Sequence, residues 1–150
     1  MMLLKSSAFH EGEAIPKKYS YKDENVNPPL DISGIPEDAG SLVLIMDDPD
    51  AVKPAGKVWD HWLVWNIDPG IDSIDEDSVP EGSVEGRTDY GENGYGGPNP
   101  PDGMHKYRFR LFALDNKLDL EGSANKDELE KAMEGHILEK TILHGTYAPK

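Results

Sequence analysis

Residues 58–67 read Val-Trp-Asp-His-Trp-Leu-Val-Trp-Asn-Ile. Alternate side chains of a strand face opposite ways. Trp59, His61, Leu63, Trp65 and Ile67 then share one face, and Asp60, Trp62, Val64 and Asn66 share the other. Both sets are largely apolar, so this segment is expected to be a central strand covered on two sides. The run Ser41 to Met46 is mostly apolar and suits a second buried strand. Tyr107 to Leu114 predicts a third. There Tyr107, Phe109, Leu111 and Ala113 share a face with the parity of His105, while Arg108, Arg110, Phe112 and Leu114 lie opposite. A shorter strand is expected around Phe9. Ser83-Val84 is too short a signal to assign, because Glu85 and Gly86 follow at once.

One helix stands out. Asn125-Lys126-Asp127-Glu128 places an N-cap residue three positions before a glutamate, the pattern of a capping box. Leu129, Ala132, Met133, His136, Ile137 and Thr141 follow at helical spacing. This predicts a helix that continues past Gly135 and stops near Gly145, with His136 on its buried face. Residues 86–103 show no periodicity but hold Tyr90, Tyr95 and three prolines, which favour a packed loop over a floppy one. At 150 residues the chain has the size of one domain (1–150). The expected fold is mainly β, with a large antiparallel sheet, a Pro/Gly-rich loop and a C-terminal helix.

Composition excludes several functions. Fifteen Lys and Arg against 29 Asp and Glu give a formal charge of −14. Binding to nucleic acid or an anionic membrane needs a cationic patch, so neither is expected. With no cysteine, disulfides, thiol catalysis and Cys-ligated zinc are out of reach. No apolar run approaches the ~20 residues of a membrane span, and the N-terminus lacks a signal-peptide pattern. A soluble, cytoplasmic protein without integral membrane contact is the expectation.

Two segments carry the chemistry. Asp47-Asp48-Pro49-Asp50 precedes Trp59-Asp60-His61-Trp62, and Gly96-Gly97-Pro98-Asn99-Pro100-Pro101-Asp102-Gly103-Met104 leads to His105-Lys106-Tyr107. Each sets a histidine beside a strand and near a turn. If they meet, Asp48, His61 and His105 form a polar cluster inside an aromatic wall, the make-up of a ligand pocket. Asp48 reads as an acceptor that orients a histidine, or simply as turn chemistry with Asp50. His61 reads as a ligand group or a satisfied core residue. His105 sits at a loop-to-strand junction, where a rigid scaffold often places binding residues. Trp59 and Tyr107 could wall the pocket or fill the core. Gly96-Gly97 could offer N–H groups to an anion or serve a local turn. Pro98, Pro100 and Pro101 fix φ and tolerate a cis bond cheaply. His10 and His144 read as surface residues. No nucleophile elbow or phosphate loop is present.

Taken together, the motifs resemble the phosphatidylethanolamine-binding protein family in its short prokaryotic, Raf-kinase-inhibitor-protein-like form. The matching pieces are Phe9 with Ile15-Pro16-Lys17-Lys18-Tyr19, Asn27-Pro28-Pro29-Leu30, Asp48-Pro49-Asp50-Ala51, His61-Trp62 and Tyr95-Gly96-Gly97-Pro98. Pro100 to Tyr107, Gly135 to Leu138 and Gly145-Thr146-Tyr147 complete the order across nearly the whole chain. The resemblance implies a β-sandwich-like fold and an anion pocket for phosphate-like groups, including phosphorylethanolamine. By matching position its residues would be Asp48, Trp59, His61, Gly97, Pro98, His105 and Tyr107. The chain departs from the family pattern at Val52 (usually Pro), at Lys106 (usually Arg) and at Asn99 (often Cys in short relatives). Lys106 keeps the charge but not the planar fork of guanidinium. Short members are often homodimers, although no segment here identifies an interface.

The leading functional expectation is noncatalytic binding of a small phosphorylated or other anionic ligand. His61 and His105 would donate to its oxygens, Gly97 N–H would assist, and Asp48 would orient a histidine and receive any ammonium. No catalytic residue, resident cofactor or metal ligand is assigned. Two other readings stay open. One is a metal-dependent enzyme using the two histidines and Asp48. The other is a protease-inhibitor or signalling-regulator protein that meets an unidentified partner through the 86–103 loop or the acidic segment 72–85.

Overall fold

The computed structural model describes residues 1–149. Its strands are β1 (Leu3–Lys5), β2 (Leu30–Ser33), β3 (Ser41–Asp48), β4 (Trp59–Ile67), β5 (Ser73–Ile74), β6 (Val84–Glu85), β7 (His105–Leu114) and β8 (Ile137–Tyr147). A short helix α1 (Val52–Ala55) follows β3, and α2 (Lys126–Met133) precedes β8. Two antiparallel sheets form, in the orders β1-β2-β5 and β6-β4-β3-β7-β8.

The large sheet is covered on both faces, as the composition of its strands requires. On one face Leu42, Leu44, Met46, Trp62, Val64 and Phe109 pack against Met2 and against Leu4, Leu30, Ile32 and Ile74 of the small sheet. On the other, Val43, Ile45, Leu63, Trp65, Phe112 and Leu114 pack against Leu129 and Met133 of α2 and against Leu118 and Ala124. All eight residues of β3 are buried, which marks it as the central strand.

The strands predicted at 41–46, 58–67 and 107–114 are present, as is the alternation along β7. The alternation along β4 is broken twice. Met46 pairs with Trp62, but Asp47 pairs with Asp60, so His61 is an extra residue opposite β3. Such a bulge switches the facing of everything before it. His61 consequently lies against Tyr107 on the face of Trp62, not with Leu63 and Trp65. A second irregularity near Asn66, whose φ is +56°, returns Ile67 to the Trp62 face.

Three further expectations are corrected. The segment around Phe9 is not a strand; β1 ends at Lys5, and Phe9 packs into the core beside Phe109. The capping box is real, with Asn125 Oδ1 accepting from Glu128 N–H at 3.0 Å. The helix stops at Met133, however, because Gly135 takes φ +80° just beyond its end. Residues from Ile137 onward form β8, so Gly145 is a strand residue paired with Tyr107. His136 is then a half-exposed residue whose Nδ1 meets Asp115 Oδ1 at 2.9 Å. Among the described residues no peptide bond is cis.

Candidate functional site

The ends of β3, β4 and β7, with α1 and the proline loop, enclose a cavity of about 200 Å³. Antiparallel pairing brings Asp48 opposite Trp59. β7 starts at His105 on the neighbouring side, and the β4 bulge turns His61 toward Tyr107. Asp48, Trp59, His61, His105 and Tyr107 all line the cavity. These are five of the seven residues that the family resemblance implies, and they include the Asp48, His61 and His105 cluster expected from the two segments.

Gly97 and Pro98 stand behind the wall. Gly97 N–H donates to Asn25 Oδ1 at 2.7 Å, and Gly96 N–H donates to the His61 carbonyl at 2.9 Å. Neither N–H is left for an anion. Glycine is required at 97 for space: a Cβ there would overlap the carbonyl oxygen of Tyr19 and crowd the backbone of Ser20 and Tyr21. Pro98 lines a different, more polar groove with Lys17 and Lys22.

Asp48 serves both of its sequence readings. Its Oδ1 accepts from Asp50 N–H at 2.9 Å and caps the turn after β3, while Oδ2 receives His105 Nδ1–H at 2.5 Å. His105 Nε2–H donates to Asp102 Oδ1 at 2.6 Å. Burial works against a charge on this ring. The hydrogen bonds to Asp48 and Asp102 outweigh it and hold the His105 pKa above its ordinary value. For Asp48, burial raises the carboxyl pKa against the pull of His105. The reading that fits two acceptors on one ring is an imidazolium between two carboxylates.

His61 differs. Its Nδ1 lies 2.7 Å from the Gly96 carbonyl oxygen, which can only accept, so Nδ1 carries the proton. Burial pushes its pKa down to about 4, against the opposing pull of the Gly96 and Gly97 carbonyls. The ring is neutral at neutral pH, Nε2 is a bare acceptor, and that atom is buried without a partner. In this state His61 has an acceptor at Nε2, where the sequence reading expects a donor. Tyr107 OH is also buried without a hydrogen bond; the backbone of Asn99 lies near but outside bonding geometry.

Two site residues escaped sequence reasoning. Tyr90 stacks on Tyr21, meets His61 and Trp59 edge-on, and donates from its OH to the Gly97 carbonyl at 2.9 Å. It comes from the aperiodic loop, where no pattern singles it out. Asp102 lies three residues before His105, and that spacing was the available signal. Pro100, Pro101 and Asn99 complete one wall, and Ala51, Pro54 and Ala55 another. Among the described residues no group of three His, Asp or Glu side chains is placed to hold a metal ion. Both nitrogens of His105 are already engaged.

The opposite face of the same strands holds a separate charge network. Asp47 is fully buried and receives two hydrogen bonds from Arg108 at 2.8 Å and one from Arg110 at 2.9 Å. Lys126 Nζ, from α2, stands 3.3 Å from Asp47 and 2.6 Å from Asp60. Burial alone would raise the Asp47 pKa, but these cations hold it below the usual value.

Comparison with known proteins places these features in context. The family model described as phosphatidylethanolamine-binding protein matches residues 5–148. The chain is 47% identical over 151 residues to the UPF0098 protein of Methanothermobacter thermautotrophicus, covering 97% of this chain and 98% of that one. Among solved structures, a phosphatidylethanolamine-binding protein homologue, CT736 of Chlamydia trachomatis, superposes with a TM-score of 0.92 at 42% identity, covering 99% of this chain and 98% of its own. E. coli YbcL, described as a member of the mammalian PEBP family, also gives 0.92 at 27% identity over 99% of both chains. Among the described residues no helix is long and apolar enough to cross a membrane.

Proposed function

The chain belongs to the phosphatidylethanolamine-binding protein family, and from that premise we propose that it binds a small phosphorylated or other anionic ligand noncatalytically in the cavity of Asp48, His61, His105 and Tyr107. One observation carries this reading. Two residues that line a cavity of head-group size, His61 and Tyr107, each hold a buried polar atom without a partner, Nε2 and OH. Buried polar groups are ordinarily hydrogen-bonded, so two such orphans just behind one cavity suit a ligand that reaches and completes them.

The positive charge comes from His105. Asp48 holds the ring from behind, and Nε2–H is the end that Asp102 occupies. The Asp102 side chain is 38% exposed, so it can turn outward and yield that N–H to a ligand oxygen. Tyr107 OH donates to a second oxygen. The displaced Asp102 carboxylate then sits at the rim, where it can pair with the ammonium of a zwitterionic head group such as phosphorylethanolamine.

Side-chain NMR of the histidines, followed during titration with phosphate and then phosphorylethanolamine, tests the reading. Saturable shifts at His61 and His105, with His10, His136 and His144 still, are expected. His61→Ala and His105→Ala should each lose the response and keep the fold. Unchanged affinity in both variants would refute the site.

A further inference from the structure

The proline wall has two sides. Asn99, Pro100 and Pro101 line the cavity of His105 and Tyr107, and the same three residues line a groove of about 610 Å³ beside it. We propose that this groove holds a second anionic group of the same ligand, so that the protein takes a phosphate mono- or diester that also carries a carboxylate or a further phosphate. The inference deepens the reading above and rests on it.

Charge gives the first support. The chain carries 29 acidic residues against 15 basic ones, so most of its surface repels an anion. Asp48 lines the His105 cavity, and Asp60, Asp89, Asp127 and Glu130 line the cleft beside Lys126. Among the described residues no Asp or Glu lines the groove, whose charged members are Lys17 and Lys22. Lys17 meets Asp23 only at 3.9 Å, and Lys22 has no ion pair among the described residues. Lys18, by contrast, is taken by Glu76 at 2.5 Å.

Geometry gives the second. Tyr21 N–H donates to the Pro98 carbonyl at 3.0 Å, and Tyr95 OH donates to the Tyr19 carbonyl at 2.8 Å. Gly97 lies against the backbone of Tyr19, Ser20 and Tyr21 with no room for a Cβ. These contacts tie the lysine-bearing turn to the segment that becomes the proline wall, and Gly96 of that segment also holds His61 at 2.7 Å. The backbone between the cavity and the lysines is therefore one packed unit, and only the lysine side chains swing. Two cationic points at a set separation, His105 and the lysine pair, discriminate ligands by the distance between their anionic groups. Asn99 and Pro101 are exposed, so a ligand can cross the rim between the two sites.

Calorimetric titration of the intact protein at low ionic strength with a series of ω-phosphonocarboxylates of increasing chain length, each against the alkylphosphonate of the same length, isolates the second charge. At an optimal length the carboxylate should tighten binding at least about fivefold, and at high salt the gain should shrink below about twofold, because charges this exposed are screened. In the double variant Lys17→Gln/Lys22→Gln the ratio between the two series should fall within about twofold at every length. No gain at any length in the unmodified protein overturns this inference and leaves anion binding intact. A gain that survives in the double variant overturns it as well, because the second charge is then held elsewhere. Binding of neither series overturns the anion-binding reading beneath it.

Discussion

Asp47 and Asp48 are neighbours on β3, yet Asp47 faces Arg108 and Arg110 under α2 while Asp48 faces His105 in the cavity. Strand alternation makes this unavoidable. It separates two roles that adjacent, chemically identical residues would otherwise share: Asp47 balances half-buried cations, and Asp48 holds the His105 ring at the cavity.

Substitution of the two aspartates should therefore have opposite signatures. Asp47→Ala removes the common counter-ion of Arg108, Arg110 and Lys126; Arg110 keeps Glu130, Lys126 keeps Asp60 and Arg108 is half-buried, so the cost is that of lost charge-assisted hydrogen bonds, about 2–3 kcal/mol. Folded Asp47→Ala protein should still respond to phosphate. Asp48→Ala loses a turn cap and a charged hydrogen bond, on the order of 2 kcal/mol, and should abolish the phosphate response. Urea denaturation paired with titration reads both quantities.

Gly97→Ala tests whether Gly97 serves packing or anion contact. The added Cβ would meet the backbone at Tyr19, Ser20 and Tyr21, which has no flexible end to move aside. A loss of more than about 2 kcal/mol is expected. A stable Gly97→Ala protein with weakened phosphate binding would instead return Gly97 to the site.

Much of this architecture was legible in the sequence, and the misses share a cause. Three of the four long strands were visible because Ser41–Met46, 58–67 and Tyr107–Leu114 are apolar in patterns that no helix would bury equally well. The β4 bulge was invisible because both faces of 58–67 are apolar, so a slipped residue leaves no polar mark. Yet that slip is what turns His61 to the cavity. The over-long helix has a similar origin. Met133, His136, Ile137 and Thr141 fit a 3.6 period by coincidence, and only the αL conformation of Gly135 distinguishes the true end. Hydrogen-bond direction at His61 depends on a carbonyl 35 residues away, which local pattern cannot supply.

Burial of neutral His61 should leave a mark on acid stability. Its pKa is about 4 in the folded protein and 6.5 for the ordinary side chain. Between those values the unfolded chain holds the extra proton, so stability rises with pH there and is lost as pH falls. The His61 contribution is about 3 kcal/mol at neutral pH. Denaturation midpoints compared between the unmodified protein and His61→Gln should show a flatter acid limb in the variant. Parallel limbs would mean that His61 is not held neutral. The His105 shift has the opposite sign: raised when folded, it stabilises at low pH, and that stability is lost as pH rises through the folded value.

Asp102 should behave as an internal competitor. Its carboxylate takes the His105 Nε2–H at 2.6 Å, the same donor that a bound oxyanion needs. Asp102→Ala removes that competitor along with one negative charge from the rim. Two effects oppose each other: His105 loses one of the two partners that hold its pKa up, while its donor becomes free. Asp48 remains at 2.5 Å on the other nitrogen, so at slightly acidic pH the ring stays charged and the freed donor dominates. Phosphate affinity should then rise about tenfold, the worth of one charge-assisted hydrogen bond no longer contested. Phosphorylethanolamine should gain less, because the variant also lacks the carboxylate for its ammonium. Isothermal titration with both ligands decides it. Weaker phosphate binding in Asp102→Ala would show that Asp102 positions His105 rather than competing for it.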